Sequence, residues 1–170
     1  KTDRYYIKQY EEETNLKSYV VLDTSRSMGY ASEGQIPKLE YGSYLAAALS
    51  YMMIKQQDAV GLALFNESVT EYLPPHATKI YLRQILVTLQ KGVPGGGTGV
   101  GRSLHQVADR IRRRGLVIVI SDLLDNPDEV IGALKHFRHK KNEVIVMHVL
   151  DPLERSFGFG RDAMFVDVET

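Results

Sequence analysis

The chain has 170 residues, 44% hydrophobic and 25% charged, with 14 Gly and 6 Pro; that suits one domain with its own core and excludes disordered and collagen-like classes. Twenty-one basic residues balance twenty-one acidic ones, so no overall field favours nucleic acid or an anionic membrane surface. Cysteine is absent, which excludes disulfides, thiolate metal sites and a cysteine nucleophile, and no apolar run reaches the roughly 18–20 residues that span a bilayer.

Arg4 to Tyr10 alternates apolar and polar residues, the period of a half-exposed strand. Ser18–Leu22 is a short apolar strand ending in Asp23, and a loop rich in Ser, Gly and Pro runs from Thr24 to Lys38. Tyr41, Leu45, Ala48 and Met52 recur at helical spacing, and Tyr41, Met52 and Met53 are expected in the core. Ala59–Phe65 is apolar on both faces, as a strand covered by helices on each side must be. Asn66–Ser68 turns it into Val69–Leu73, a short antiparallel edge strand.

After Pro74 and Pro75, the residues Leu82, Ile85, Leu86 and Leu89 mark a second helix. The loop Gly92–Thr98 leads to a third, with Val100, Leu104, Val107 and Ile111 on one face. Leu116–Ile120 is a buried strand ending in Ser121-Asp122. Asn126-Pro127-Asp128-Glu129 reads as a helix start, with Asn as N-cap, Pro at the first position and Glu129 reaching back; that helix carries Val130, Ile131, Leu134 and Phe137. Val144–Leu150 is expected as the next buried strand and Ala163–Val168 as the last. Strands alternating with amphipathic helices predict an α/β fold: a doubly wound, mostly parallel sheet with helices on both faces and one antiparallel edge strand. Residues 1–170 are expected to form a single domain. The opening at Lys1, directly into a strand-like stretch, points to a piece of a longer protein.

In such sheets ligands bind beyond the carboxyl ends of the strands, where the strand order reverses. Asp23 and Asp122 each follow a core strand, Ser25 and Ser27 alternate after Asp23, and Thr98 sits in a glycine-rich loop able to approach closely. Two carboxylates and three hydroxyls are hard oxygen donors, with no His or Cys among them, so Mg²⁺, Mn²⁺ or Ca²⁺ fits better than Zn²⁺. An exposed ion short of negative ligands attracts a further carboxylate, which a partner protein's Asp or Glu can provide.

Asp23-Thr-Ser25-Arg-Ser27-Met28, then Thr98, then Asp122 resembles the metal-ion-dependent adhesion site of von Willebrand factor type A domains. The resemblance covers nearly the whole chain and implies the same three-layer fold, with the five named residues around one ion. Glu11–Asn15, Lys38–Gly42 and Asp167–Thr170 are further similar to a bacterial and archaeal family catalogued as domain of unknown function fifty-eight. That likeness implies a non-enzymatic adaptor or chaperone-like partner of a MoxR-type AAA+ ATPase. Cytoplasmic placement is expected with it, with any membrane tether outside this chain.

Gly97-Thr-Gly99-Val-Gly101 does not read as a dinucleotide fingerprint, because it follows a helix end and a Pro turn instead of a strand. The alternative function is a Mg²⁺-dependent phosphatase or phosphotransferase with Asp23 as nucleophile. Such an enzyme wants an acid where Ser25 stands, and a lysine beside the phosphate that the sequence does not clearly place. Ser121 has no obvious base. His136 and His139, with Lys135, Arg138, Lys140 and Lys141, read as a solvated helix end, as do Arg110 and Arg112–Arg114. His76, His105 and His148 are scattered.

Overall fold

The computed structural model describes residues 17–97 and 99–156 of the chain. The expected strands at Arg4–Tyr10 and Ala163–Val168, and Thr98 itself, lie outside the described residues. Five strands form one sheet: β1 (Lys17–Asp23), β2 (Ala59–Phe65), β3 (Val69–His76), β4 (Leu116–Ser121) and β5 (Glu143–His148), in the order β3-β2-β1-β4-β5. Among the described residues only the β2–β3 pair is antiparallel. β3 runs on through Pro74 and Pro75 to His76, which an edge strand tolerates because its outer row of backbone groups needs no partner.

The helices are α1 (Lys38–Lys55), α2 (Lys79–Gln90), α3 (Val100–Arg110), α4 (Pro127–His139) and the short α5 (Pro152–Ser156), with a 3₁₀ turn at Arg26–Gly29. Alternate residues of the central strands feed two cores, as the period of a strand requires. Val20, Leu22, Leu62, Leu64, Ile118 and Ile120 pack with α1 and α2, whereas Tyr19, Val21, Phe65, Val117 and Val119 pack with α3 and α4. Helices therefore cover both faces, as the alternating pattern predicts.

α1 departs from its expected orientation. Tyr41 and Met52 are 52% and 54% exposed, and Met53 is only partly buried. The buried face is instead Leu39, Gly42, Ala46, Ser50 and Ile54. Small residues there let the helix lie close to the sheet: a Cβ on Gly42 would stand 2.9 Å from Leu22 Cδ1 and 3.3 Å from Ile120 Cγ2.

β5 departs as well. It was expected to be buried, yet among the described residues it pairs only with β4, and Ile145 and Val146 are 44% and 37% exposed. α4 starts as predicted, with the Asn126 side chain accepting from Asp128 N at 2.9 Å and Pro127 in the first position. Glu129 does not complete the expected capping box: the Asn126 amide donates to Asp125 Oδ1 at 2.7 Å, and the Glu129 stem packs over Gly101 of α3.

Candidate metal centre

The chain leaves β1 for β2 and β3 on one side, then returns to place β4 on the other. The gap between the carboxyl ends of β1 and β4 is thus the point where strand order reverses. Asp23 is the last residue of β1 and Asp122 follows β4 directly. They are 0% and 2% exposed.

Local hydrogen bonds shape the loop after β1. Thr24 N and Oγ1 both donate to Phe65 O, at 2.7 and 2.9 Å, tying the chain to the end of β2. Asp23 Oδ1 accepts from Ser25 N at 2.8 Å, a turn that short acidic side chains readily make. Met28, fully buried, anchors the following 3₁₀ turn in the core. With both ends held, the Ser25 and Ser27 hydroxyl oxygens lie 3.1 Å apart.

From β4, Ser121 Oγ donates to Asp23 Oδ2 at 2.6 Å and accepts from Leu123 N at 2.9 Å. Leu123 takes a positive φ of 54°, an unusual conformation for a branched residue, and this turns the chain sharply after Asp122. Burial pushes the Asp23 carboxyl above the ordinary carboxylate range; hydrogen bonds from Ser121 and Ser25 oppose that, and the Asp122 charge adds to it. Such a group gains from a nearby cation.

Asp122 is held differently. Its Oδ2 accepts from Lys38 Nζ at 2.8 Å, and Lys38 Nζ also donates to Glu154 Oε1 at 2.6 Å. Among the described residues, Asp122 Oδ1 has only a long contact from Leu124 N, at 3.4 Å. His148 Nε2, as donor, meets the Asp122 carbonyl at 2.9 Å. The Tyr30 ring lies 5.8 Å from Lys38 Nζ. Asp151 secures the same edge, accepting from Ser32 N and Oγ at 2.9 and 3.0 Å.

The glycine loop is docked on Thr24 and on the turn after β2. Gly95 N donates to Thr24 O at 3.0 Å, and Pro94 crowds Gly29, where a Cβ would meet its ring at 3.0 Å. Gly96, at φ 75°, lies against Asn66, and Gly97 N donates to Glu67 Oε1 at 2.5 Å. These contacts bring Gly95–Gly97 to the rim. Thr98 is not among the described residues, so Asp23, Ser25, Ser27 and Asp122 are the expected ligands whose geometry is on view.

The donor set can be tested against a hard cation. Neighbouring oxygens in an octahedral Mg²⁺ shell at about 2.1 Å stand about 3 Å apart, which the Ser25–Ser27 pair matches at 3.1 Å. Among the described residues no group of three or more His, Cys, Asp or Glu converges as a metal site. A cation here would therefore lean on hydroxyls and water, with Asp23 bound only to uncharged donors and Asp122 paired through Oδ2 with the Lys38 ammonium.

Lys38, Glu154, Ser121 and His148 also line this rim, beyond the five residues expected from the sequence. Lys38 carried a signal, since it opens the helix in a stretch similar to the family pattern, but its burial is a tertiary fact. His105 is not isolated either: its Nδ1 lies 3.0 Å from Nδ1 of His136 across α3 and α4.

The whole chain, residues 1–170, matches the family model described as "Protein of unknown function DUF58", and the chain belongs to that family. The fold is the three-layer α/β one that the resemblance to von Willebrand factor type A domains implies. Among solved structures it is similar to the conserved hypothetical protein BatB from Bacteroides thetaiotaomicron (TM-score 0.64, 23% identity), covering 77% of this chain and 65% of that one. It is also similar to an aerotolerance-related membrane protein from Bacteroides fragilis (TM-score 0.66, 23% identity), covering 86% of this chain and 77% of that one. A third likeness is to three N-terminal domains of the pili tip protein Mfa5 from Porphyromonas gingivalis, with a TM-score of 0.51 and 18% identity over 62% of this chain and 19% of that one. At these identities the likeness is one of fold. This chain spans just under two thirds of the BatB chain's length. No curated protein matches the chain. Among the described residues no helix is long and apolar enough to cross a membrane.

Proposed function

We propose that this domain is a non-enzymatic protein-interaction module in which Asp23, Ser25, Ser27 and Thr98 hold one Mg²⁺, with Mn²⁺ or Ca²⁺ as substitutes, and Asp122 acts through a coordinated water. The carrying observation is the buried Asp23 carboxylate beside a hydroxyl pair 3.1 Å apart, at the point where strand order reverses. A bound ion would supply a positive centre short of anionic ligands. A partner's Asp or Glu completes its shell, and no bond breaks.

Family membership supports a MoxR-type AAA+ ATPase as the protein served, through the resemblance on which that expectation rests. The cytoplasm is the proposed location, with any tether outside this chain. Calorimetry with MgCl₂ tests the ion: Asp23→Ala is expected to lose detectable binding while keeping a cooperative melt, and retained affinity rejects the assignment. Co-purification of the ATPase with and without EDTA tests the partner.

A Mg²⁺-dependent phosphotransferase using Asp23 gains one feature from the structure, a lysine near the rim. Lys38 is nevertheless buried, and its ammonium is committed to Asp122 and Glu154. The interaction reading therefore accounts better for these residues.

A further inference from the structure

Lys38 is in an expensive place. It is the first residue of α1, where the partial positive charge of the helix end repels a cation, and its side chain is only 3% exposed, so its charge has lost most of its water. Two carboxylates compensate: Asp122 at 2.8 Å, itself 1% exposed, and Glu154 at 2.6 Å, 24% exposed. A lysine whose only task was to anchor α1 would be served by one of them. The pair of partners, one inside the rim and one outside it, calls for a reason.

Asp23 and Asp122 provide it. These two buried acids end neighbouring strands, and the ammonium of Lys38 pairs with one of them. We propose that Lys38 is a placeholder cation: its ammonium neutralises Asp122 in the metal-free domain, competes with a divalent ion for that carboxylate, and stays paired with Glu154 once the ion is bound. This deepens the metal reading above and rests on it. Glu154 makes the exchange possible, because the ammonium released by Asp122 is never left unpaired in a buried place. Asp122 Oδ1, with a single long contact among the described residues, remains available to a coordinated water.

The role has opposite signatures at its two ends. Removing the placeholder removes the competitor, so Lys38→Met should tighten Mg²⁺ binding by about tenfold, since a buried ammonium paired with Asp122 opposes a second cation at that carboxylate. The same change should lower the melting temperature in EDTA, and adding Asp122→Asn should restore it by removing the uncompensated charge. Lys38→Arg keeps the charge, and its Mg²⁺ affinity should stay within about threefold of wild type. Glu154→Gln takes away the ammonium's second carboxylate, so Lys38 holds Asp122 more firmly and Mg²⁺ binding weakens several-fold.

The experiment is MgCl₂ calorimetry and EDTA melting on wild type and these variants of the same chain. Wild type that takes up no Mg²⁺ overturns the metal reading, and the placeholder with it. Wild type that binds while Lys38→Met binds no tighter overturns the placeholder alone. Should Lys38→Met fail to fold, Glu154→Gln decides: weaker binding supports the exchange, and unchanged or tighter binding overturns it.

Discussion

Ser121 joins the two strand ends more directly than any other residue at the rim. Its hydroxyl donates to Asp23 and accepts from Leu123 N, so one oxygen orients the buried carboxylate and the left-handed turn after β4. Ser121→Ala leaves both groups short of a partner, one of them a fully buried carboxylate. A loss of about 1–3 kcal/mol is expected for an orphaned buried polar group, read as a lower urea midpoint with unchanged slope. Asp23, Ser25, Ser27 and Asp122 are legible as residues at the carboxyl ends of β1 and β4, because each stands at a fixed offset from the end of an apolar run. Lys38 is not, since helical spacing cannot tell a lysine folded inward from one reaching into water. Tyr41 and Met52 mislead for a related reason: they keep helical spacing while facing outward, and the inner stripe is written in Gly, Ala and Ser, which carry little hydrophobic signal.

Among the elements, α3 and α4 meet through a glycine. A Cβ on Gly101 would lie 2.7 Å from Glu129 Cβ and 3.0 Å from its backbone carbonyl carbon. Backbone cannot step aside as a side-chain tip can, so Gly101→Ala should cost about 1–3 kcal/mol despite alanine's better helix propensity. Chemical denaturation measures it. α5 is tied to the loop before α1 through Asp151. Burial alone would raise that carboxyl; hydrogen bonds from the Ser32 and Leu153 amides and the Ser32 hydroxyl, with the Lys38 charge, outweigh it and hold the group below its ordinary range. A depressed folded value means the bonds contribute fully above the unfolded pKa of about 3.9 and are lost as pH falls through the folded one. Wild type should therefore exceed Asp151→Asn in stability at neutral pH. The gap should close below about pH 4, as denaturation midpoints at stepped pH would record.

At the scale of the molecule, the alternation of strands and helices was enough to give layer order and sheet type, because parallel strands need crossovers and crossovers need right-handed helices. Pairing order is less visible. That β1 lies between β2 and β4, which creates the rim, depends on which strands bury both faces most completely. The exposure of β5 has no signal in its sequence, since Val144–Met147 is as apolar as an inner strand; its place at the end of the described strand order is a property of the assembly of strands, and composition does not encode it.

The contact between Tyr30 and Lys38 turns the domain into its own optical gauge. The chain has ten tyrosines and no tryptophan, so ultraviolet emission comes from phenol rings alone, and one ring sits 5.8 Å from the ammonium that pairs with Asp122. Any event that moves that ammonium alters the ring's surroundings. Titrating MgCl₂ into unlabelled protein should shift the emission intensity saturably, and Tyr30→Phe should flatten most of the response; a Tyr30→Phe curve that overlays wild type would show that the light comes from elsewhere.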